Sequence, residues 1–262
     1  MSTHRHLLWT GGWDSTYQLL RSLIVDGDSV EPHYIDFEDH RQSASFERAA
    51  MDKIRAEIAD RWPEAAARLA PPKVTRRGEI APDPQITEAH ARLKAQSYIG
   101  DQYDWLARYC RQYRVPKLNL CIHRDDKAFK AIRDRIEPVP DRPGTYRLQG
   151  GADGSDAALI FGSYVFPVLD MSKIEMGQAA AEHGLAEVMA LTWFCHTPIG
   201  GAPCGRCNPC RYTIEEGFGH RIRPMRRWTG WVYAHVIYPT RAWIKPRSRA
   251  LRVWLGIRKP DS

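Results

Sequence analysis

Short apolar runs alternate with segments of helical periodicity in the amino-terminal part of the chain. The run HLLWT (6–10) has the length and composition of a buried strand, and DSTYQLLRSLIVDG (14–27) continues with apolar residues at helical spacing until Gly27. The stretch SVEPHYIDFE (29–38) predicts a second strand, which Pro32 interrupts near its start because proline cannot donate to a ladder. The predicted order is strand, helix, strand.

A second helix and a loop are predicted next. Residues 43–62 have amphipathic helical spacing, with Ser43 or Ser45 as the N-cap and Pro63 as the stop. The proline-rich stretch 71–87 predicts a loop around at most one short strand.

The remaining pattern repeats this alternation. A helix is predicted over 89–113, and PKLNLCI (116–122) predicts a third strand. Residues 143–170 are rich in glycine and aromatics, which predicts a hairpin and then another strand, and a helix capped by Ser172 follows over 171–185. Strands separated by helices of this length form βαβ units, so the sequence predicts an α/β protein whose parallel sheet carries helices on both faces.

The composition is that of a globular protein. The 262 residues are 43% hydrophobic and 26% charged, which excludes a disordered or fibrous chain. No run reaches the roughly eighteen uninterrupted apolar residues that a membrane-spanning helix needs. The apolar stretch near the start is too short for a secretory signal, so we expect a cytoplasmic protein.

The net charge of +7 is concentrated in the C-terminal segment. Residues 220–262 hold 11 of the 38 Lys and Arg residues and a single acid, Asp261. Interleaved with these basic residues are Trp228, Trp231, Tyr233, Tyr238, Trp243 and Trp254. Such a pattern favours binding to nucleic acid or to an anionic membrane surface. The alternative is an extension whose aromatic side chains pack on the protein body while its charges stay in water.

Four of the six cysteines are closely spaced in the sequence. They are Cys195, Cys204, Cys207 and Cys210. Their Cys-x8-Cys-x2-Cys-x2-Cys spacing lets four thiolates converge on one tetrahedral Zn²⁺ ion, and a reducing cytoplasm argues against disulfides. The other two, Cys110 and Cys121, fall in apolar helical and strand patterns and are expected in the core.

The turn TGGWDST (10–16) between the first strand and helix is a candidate phosphate loop. It places backbone N–H groups at the positive end of a helix, glycines that permit close approach, and three hydroxyl donors. Asp14 suits this position if it helps to hold Mg²⁺ on the phosphates or if it caps the helix. The candidate nucleotide-binding residues are Trp9, Thr10, Gly11, Gly12, Asp14, Ser15 and Thr16.

The alternative for this loop is a tight turn that needs glycine for geometry alone. The spacing excludes a Walker P-loop, which needs Gly-x4-Gly-Lys, and a dinucleotide fingerprint, which needs Gly-x-Gly-x2-Gly.

Three segments carry a resemblance to known enzymes. TGGWDST resembles the Ser-Gly-Gly-x-Asp-Ser pyrophosphate loop of the N-type ATP pyrophosphatases (PP-loop superfamily), with Thr10 in place of serine. LTWFCHTPIGGAPCGRCNPCRYTIEEGF (191–218) and FPVLDMSKIEMG (166–177) resemble the zinc segment of the 7-cyano-7-deazaguanine synthases and the stretch before it. The three matches occur in the family's order.

The resemblance implies an adenine nucleotide alpha hydrolase (Rossmann-like) fold and an ATP-dependent carbon–nitrogen ligase of queuosine biosynthesis. In the family, the carboxylate of 7-carboxy-7-deazaguanine is adenylated, ammonia displaces AMP to give an amide, and a second ATP drives dehydration to the nitrile. The implied cofactors are ATP, Mg²⁺ and Zn²⁺, and Asp14 and Lys173 are the implied catalytic residues. Lys173 is alternatively a solvated lysine in the first turn of a helix.

Two segments depart from the family pattern. HRDDKAFKAIRDRIEPVP (123–140) stands where the family carries its substrate segment, and KAQSYIGDQYDW (94–105) replaces an Arg-Asn before the long central helix. A different carboxylate or a different amine acceptor, including an amine on a larger partner, is therefore an alternative. So is a zinc-bearing nucleic-acid-binding or RNA-modifying protein.

Polar residues also follow two of the predicted strands, at the edge where parallel sheets bind ligands. They are Asp36, Glu38, Asp39 and His40 after the second strand and His123, Arg124, Asp125 and Asp126 after the third. Solvated polar loops are the alternative interpretation for both groups. The expected organisation is a nucleotide-binding domain (1–190), a zinc segment (191–219) and a basic extension (220–262).

Overall fold

The computed structural model describes residues 3–37, 42–97, 99–124, 126, 128–151 and 153–237. The strands are β1 (His4–Leu8), β2 (Ser29–Asp36), β3 (Lys73–Arg76), β4 (Leu118–Asn119), β5 (Ile136–Pro138), β6 (Tyr146–Leu148) and β7 (Tyr164–Phe166). The helices before the zinc segment are α1 (Trp13–Leu20), α2 (Ala44–Arg61), α3 (Pro63–Ala67), α4 (Pro84–Gln96), α5 (Gln102–Gln112), α6 (Phe129–Ile132), α7 (Asp156–Phe161), α8 (Lys173–Glu182) and α9 (Ala186–Ala190). The helices after it are α10 (Asn208–Thr213) and α11 (Pro224–Val232).

The seven strands form one sheet in the order β3-β2-β1-β4-β7-β6-β5. The first five strands in this order are parallel, and the β5–β6 hairpin adds the antiparallel end. The chain runs from β1 outward to β2 and β3 and then returns to β4 on the other side of β1. The order of the strands therefore reverses between β1 and β4, where open α/β sheets bind ligands beyond the carboxyl ends of their strands.

Helices cover both faces of the sheet, as the sequence predicts. Leu7 and Trp9 of the first strand and its extension belong to one apolar cluster with α1, α2, α8 and α9. Leu8 and Ile35 pack in the other cluster, with α4, α5 and α7. Successive residues of a strand point to opposite faces, so the two clusters are the two sides of the sheet.

The second strand continues through Pro32, although the sequence analysis expected this proline to interrupt the start of the strand. Val30, two residues earlier, uses its backbone groups toward the β3 side, bonding Arg68 and Ala70. Pro32 points the same way, but pairing with β3 begins only at His33 opposite Lys73. The missing N–H therefore lies where the neighbouring strand has not started.

The predicted helix over 89–113 is wrong in one respect, because it is two helices. Helix α4 begins earlier, at Pro84, where Asp83 Oδ1 accepts the N–H of Ile86 at 3.2 Å. It ends at Ser97, whose backbone is extended, before α5 begins at Gln102. The loop 71–87 contains the one short strand expected, β3.

The middle of the sheet also differs from the prediction. The hairpin consists of β5 and β6 and so begins before 143, and the sequence analysis missed α7 between the hairpin and β7. Ser43 occupies the N-cap position of α2, but its hydroxyl donates to Glu47 Oε1 at 2.7 Å instead of capping a backbone N–H. Helix α8 matches: Ser172 and Glu175 form a capping box, and Gly184 stops it at φ +68°.

The chain divides into two compact units, Met1–Trp193 and Phe194–Ser262. The sheet and its helices form the first unit. The second contains the cysteine segment, α10 and α11. Across the described ranges, we find no helix with the length and apolarity needed to cross a bilayer.

Candidate active site and metal centre

Two buried side chains, one at each end of the loop between β1 and α1, are hydrogen-bonded to each other beneath the loop. Trp9 Nε1 donates to Thr16 Oγ1 at 3.0 Å, and neither residue is exposed. Both belong to the predicted nucleotide-binding set, and the structure places their side chains in the core beneath the loop. Their role in this geometry is to fix the two ends of the loop.

The two glycines of the loop have different requirements. Gly11 has φ +66°, and a Cβ there would lie 3.0 Å from the Glu47 carbonyl oxygen and 3.1 Å from Met51 Cγ. Backbone conformation and the close packing of α2 therefore both demand glycine. Gly12 has an ordinary φ of −81°, and a Cβ there would approach nothing closer than 3.4 Å. Turn geometry accounts for Gly11 and leaves Gly12 unexplained.

The remaining loop residues line the amino end of α1. Ser15 is buried, and its hydroxyl lies 3.5 Å from the amide nitrogen of Thr10 and from the carbonyl oxygen of Gly12. These contacts are long for hydrogen bonds, so the hydroxyl can turn to a better acceptor. The first N–H groups of a helix have no intrahelical partners, and the Thr16 N–H donates to the Gly12 carbonyl oxygen at 3.0 Å.

One carboxylate oxygen of Asp14 is buried within this loop. This atom, Oδ1, accepts no hydrogen bond from any described residue. Burial raises the pKa of this carboxyl, while the charges of Lys173 and His123 oppose the rise and that of Asp126 adds to it. Leaving a buried acceptor unsatisfied costs about 1–3 kcal/mol, so this oxygen suits a bound cation or a donor from a ligand.

Lys173 is held at the same edge of the sheet by the start of α8. The indole of Trp13 donates to the Lys173 carbonyl oxygen at 3.3 Å, which ties the amino ends of α1 and α8 together. The Ser172 capping box fixes the first turn of α8. The charge of Lys173 acts on the Asp14 carboxylate, so the predicted catalytic pair lies within electrostatic reach beyond the carboxyl ends of β1 and β7.

The segment after β4 reaches this edge as well. His123 is buried, and the Arg124 backbone N–H donates to the Met171 carbonyl oxygen at 3.1 Å. The Arg124 side chain forms an ion pair with Glu175, and Asp126 accepts the Ala128 N–H at 2.9 Å. Asp36 pairs with Arg48. The other predicted members of these groups, Glu38, Asp39, His40 and Asp125, lie outside the described residues.

The sequence analysis did not assign Trp193 or its ring partner Phe46 to this site, and it expected Cys121 only as a core residue. Trp193 donates its backbone N–H to the Gly11 carbonyl oxygen at 2.8 Å, and its ring stacks on Phe46 with centroids 4.7 Å apart. Cys121 is close enough to Asp14 that the carboxylate adds to the burial that raises the pKa of its thiol. Trp193 lies in the quoted segment 191–218, and the resemblance of that segment to a known family was the sequence feature that could have indicated a role for it.

The four clustered cysteines converge as predicted. Their Sγ atoms all lie within 4.8 Å of one another, with 3.9 Å for Cys195–Cys207 and for Cys204–Cys210. Four sulfurs at about 2.3 Å from a tetrahedral Zn²⁺ are about 3.8 Å apart, whereas a disulfide needs about 2.05 Å. The arrangement has the size of a zinc centre and is not a pair of disulfides. Hydrogen bonds from the Cys195 and Cys210 thiols lower the pKa of Cys207.

Surrounding donors stabilise thiolate at this centre. Cys204 Sγ accepts from the Cys207 N–H at 3.3 Å and from the Thr197 hydroxyl at 3.3 Å. Gly205, between the paired cysteines, has φ +76° and leaves no room for a Cβ, which would meet the Arg226 carbonyl oxygen at 2.2 Å. A Cβ on Gly230 would lie 2.0 Å from the Gly205 carbonyl oxygen, so α11 crosses the metal loop at these two glycines.

No protein-family model matches the chain, and no curated protein matches it.

Proposed function

We propose that the protein is an ATP-dependent carbon–nitrogen ligase that adenylates a carboxylate and passes it to ammonia or another amine. The first candidate substrate is 7-carboxy-7-deazaguanine, because the loop, the 166–177 stretch and the zinc segment resemble the enzymes that act on it. The proposal includes an adenine nucleotide alpha hydrolase (Rossmann-like) fold and a cytoplasmic location, where ATP is available and thiolates stay reduced.

The observation that carries the proposal is the buried oxygen of Asp14, which accepts no hydrogen bond from any residue that the structure describes. It lies where the strand order reverses, next to the amino end of α1 and within electrostatic reach of Lys173. A loop whose only task was a tight turn would need Gly11, but it would not need a carboxylate oxygen that is buried with no hydrogen-bond donor among the described residues. A nucleotide with its metal ion supplies the missing partner.

In the proposed reaction, the substrate carboxylate attacks the α-phosphorus of ATP and pyrophosphate leaves. The first-turn amides of α1 and the Ser15 hydroxyl bind the pyrophosphate oxygens, and Lys173 stabilises the charge that develops on them. Trp9 and Thr16 hold the loop in position from below. Asp14 would hold Mg²⁺, which when bound neutralises phosphate charge and favours departure of pyrophosphate.

The cysteine centre has a structural role in this proposal. Four thiolates fill the tetrahedral coordination of Zn²⁺ and leave no position for substrate or water.

In the second step of the proposed reaction, the amine attacks the adenylate and AMP is released. The segment 123–140 is where we propose that the amine acceptor is selected. Since Arg124 is paired with Glu175, its charge is already compensated before substrate binds.

The test is a product analysis with the full chain. Incubation with ATP, Mg²⁺, ammonia and 7-carboxy-7-deazaguanine is expected to release AMP and pyrophosphate and to yield the amide or nitrile by mass. Amide alone indicates a related amide ligase. Release of ADP and phosphate would exclude adenylation, and no ATP-dependent turnover would place the substrate outside the deazaguanines.

A second candidate function is nucleic-acid binding through the second unit. On α11, Trp228 and Trp231 are 63% and 58% exposed among arginines, which suits base stacking with phosphate neutralisation. The predicted Tyr238, Trp243 and Trp254 lie outside the described residues. If the protein is a binder, Trp228→Ala with Trp231→Ala weakens salt-dependent RNA binding, while Met225→Ala on the same helix does not. Absence of RNA binding in the unaltered protein removes this candidate.

A further inference from the structure

A second cluster of metal-ligand side chains lies on the first unit, away from the phosphate loop. It is built where β1 and β2 run side by side, with His6 opposite Glu31 and Leu8 opposite His33. His4, His6, Glu31 and His33 all project from one face of these strands, because residues two apart share a face. That face is the one covered by α5, whose Tyr109 reaches His33.

The ligand atoms of three residues already form a compact triangle. His6 Nδ1 lies 3.0 Å from His33 Nε2, and Glu31 Oε1 lies 3.4 Å from the His33 nitrogen and 3.6 Å from the His6 nitrogen. Ligands held at about 2.0–2.2 Å around a tetrahedral ion are about 3.3–3.6 Å apart. The triangle therefore has the size of one face of a metal coordination sphere.

We propose that His6, Glu31 and His33 bind a divalent transition-metal ion, Zn²⁺ in the first instance, with His4 as the outermost ligand. His4 Nε2 lies 3.6 Å from Glu31 Oε2, and the ligand atoms of His4, His6 and Glu31 all lie within 4.8 Å of one another. Two or three imidazoles with one carboxylate favour Zn²⁺, Co²⁺, Ni²⁺ or Cu²⁺ over Mg²⁺ or Ca²⁺, which prefer all-oxygen sites.

The buried end of the cluster has the outer-shell contact that metal-binding histidines use. His33 Nδ1 lies 2.7 Å from the Tyr109 hydroxyl oxygen, so Nδ1–H can donate to the phenol while the Nε2 lone pair faces His6 and Glu31. Tyr109 is itself buried, and it holds the ring in one orientation.

An ion can reach this site from solvent. Side-chain exposure rises from 0% at His33 through 22% at His6 and 30% at Glu31 to 52% at His4. The site thus has a closed inner wall and an open outer edge, unlike the cysteine centre, where four thiolates surround the ion.

Cobalt titration of the full chain, stripped of metal, tests this proposal without any substitution. Co²⁺ bound by thiolates has an intense charge-transfer band, whereas Co²⁺ bound by histidine and carboxylate does not. We expect two equivalents to bind, of which one adds the thiolate band and one adds only weak visible absorption. Binding of a single equivalent, with the thiolate band, would overturn the proposal.

Variants assign the second equivalent to the cluster. His6→Gln and Glu31→Gln should each lose it and keep the thiolate band, while His183→Gln, a change at an exposed histidine, should bind both equivalents. Tyr109→Phe retains every ligand and should weaken the second site about 10–100-fold, the range for loss of an outer-shell partner. Retention of both equivalents in His6→Gln and Glu31→Gln would show that the cluster is only a hydrogen-bonded network.

Discussion

Trp9 and Thr16 share a 3.0 Å hydrogen bond that joins the last residue before the phosphate loop to the first turn of α1. Both side chains are wholly buried, so the indole N–H has no solvent to turn to if the hydroxyl is removed. The loop geometry therefore depends on a polar contact inside an apolar cluster.

Replacing this hydroxyl should destabilise the fold more than its size suggests. Thr16→Val keeps the shape but leaves the indole N–H of Trp9 unsatisfied, at a cost of about 1–3 kcal/mol in the free energy of unfolding. Thr16→Ser retains the oxygen and serves as the control, with a smaller loss. Urea denaturation measures both, and equal effects of the two substitutions would argue that packing alone matters here.

We expect the Asp14 carboxylate to lower the stability of the fold and to be required for ATP-dependent pyrophosphate release. Because burial raises the pKa of this carboxyl above its unfolded value, the charged form costs stability at neutral pH. Asp14→Asn should therefore raise the free energy of unfolding of the ligand-free protein by about 1 kcal/mol and abolish ATP-dependent pyrophosphate release. The exposed Asp52→Asn on α2 should change neither. A destabilised Asp14→Asn protein with full activity would contradict both expectations.

Loss of one thiolate should release the ion from the cysteine centre. Cys207→Ser is expected to lower bound zinc by about one equivalent and to loosen the second unit, since folding and metal binding are coupled in such centres. Cys110→Ala, in the core of the first unit, should cost stability but leave the zinc content unchanged. Metal analysis after dialysis distinguishes the two, and unchanged zinc in Cys207→Ser would count against a four-cysteine site.

Acid should unfold the metal-free protein through His33. Burial first, and then the charge of His6, lower its pKa from 6.5 to about 4, while Glu31 opposes the shift. His33 is protonated below about pH 6.5 in the unfolded chain but only below about pH 4 in the folded chain. The free energy of unfolding therefore falls as the pH drops through this window. The groups facing His33 are His4, His6, Glu31, Lys73 and Tyr109.

The expected loss is on the order of 3 kcal/mol across the window, from about 1.4 kcal/mol per pKa unit. Denaturation in a chelating buffer at several pH values measures it, and His33→Gln should flatten the slope between pH 6.5 and about 4. An unchanged slope in that variant would assign the acid sensitivity to other groups.

The sequence predicted those features that depend on local spacing. The cysteine centre needs only a short segment, and its ligands converge as the spacing indicates. The alternation of apolar runs and helices likewise predicted the layered sheet, because period and length are local properties. The break between α4 and α5 was missed because Ser97 and Gly100 are individually tolerated in a helix, and tertiary context decides where they end one.

The histidine cluster shows why the rest was out of reach. His6 and His33 come together only through the register of β1 against β2, and a slip of one residue would turn one pair to the opposite face. Nothing in the local sequence states that register. The Asp14 oxygen, which has no partner among the described residues, similarly becomes apparent only from the positions of the surrounding donors.

The close contact between Gly205 and Gly230 brings together the loop that carries the cysteines and helix α11. The loop of the four cysteines and α11 touch backbone to backbone, so an ion that fixed the shape of this loop would also stabilise the docking of α11. Metal binding at the cysteine centre and the docking of α11 would then be thermodynamically coupled. A ligand that binds the exposed tryptophans of α11 in its docked position would then slow the release of an ion from the cysteine centre, and one that pulls the helix away would speed that release.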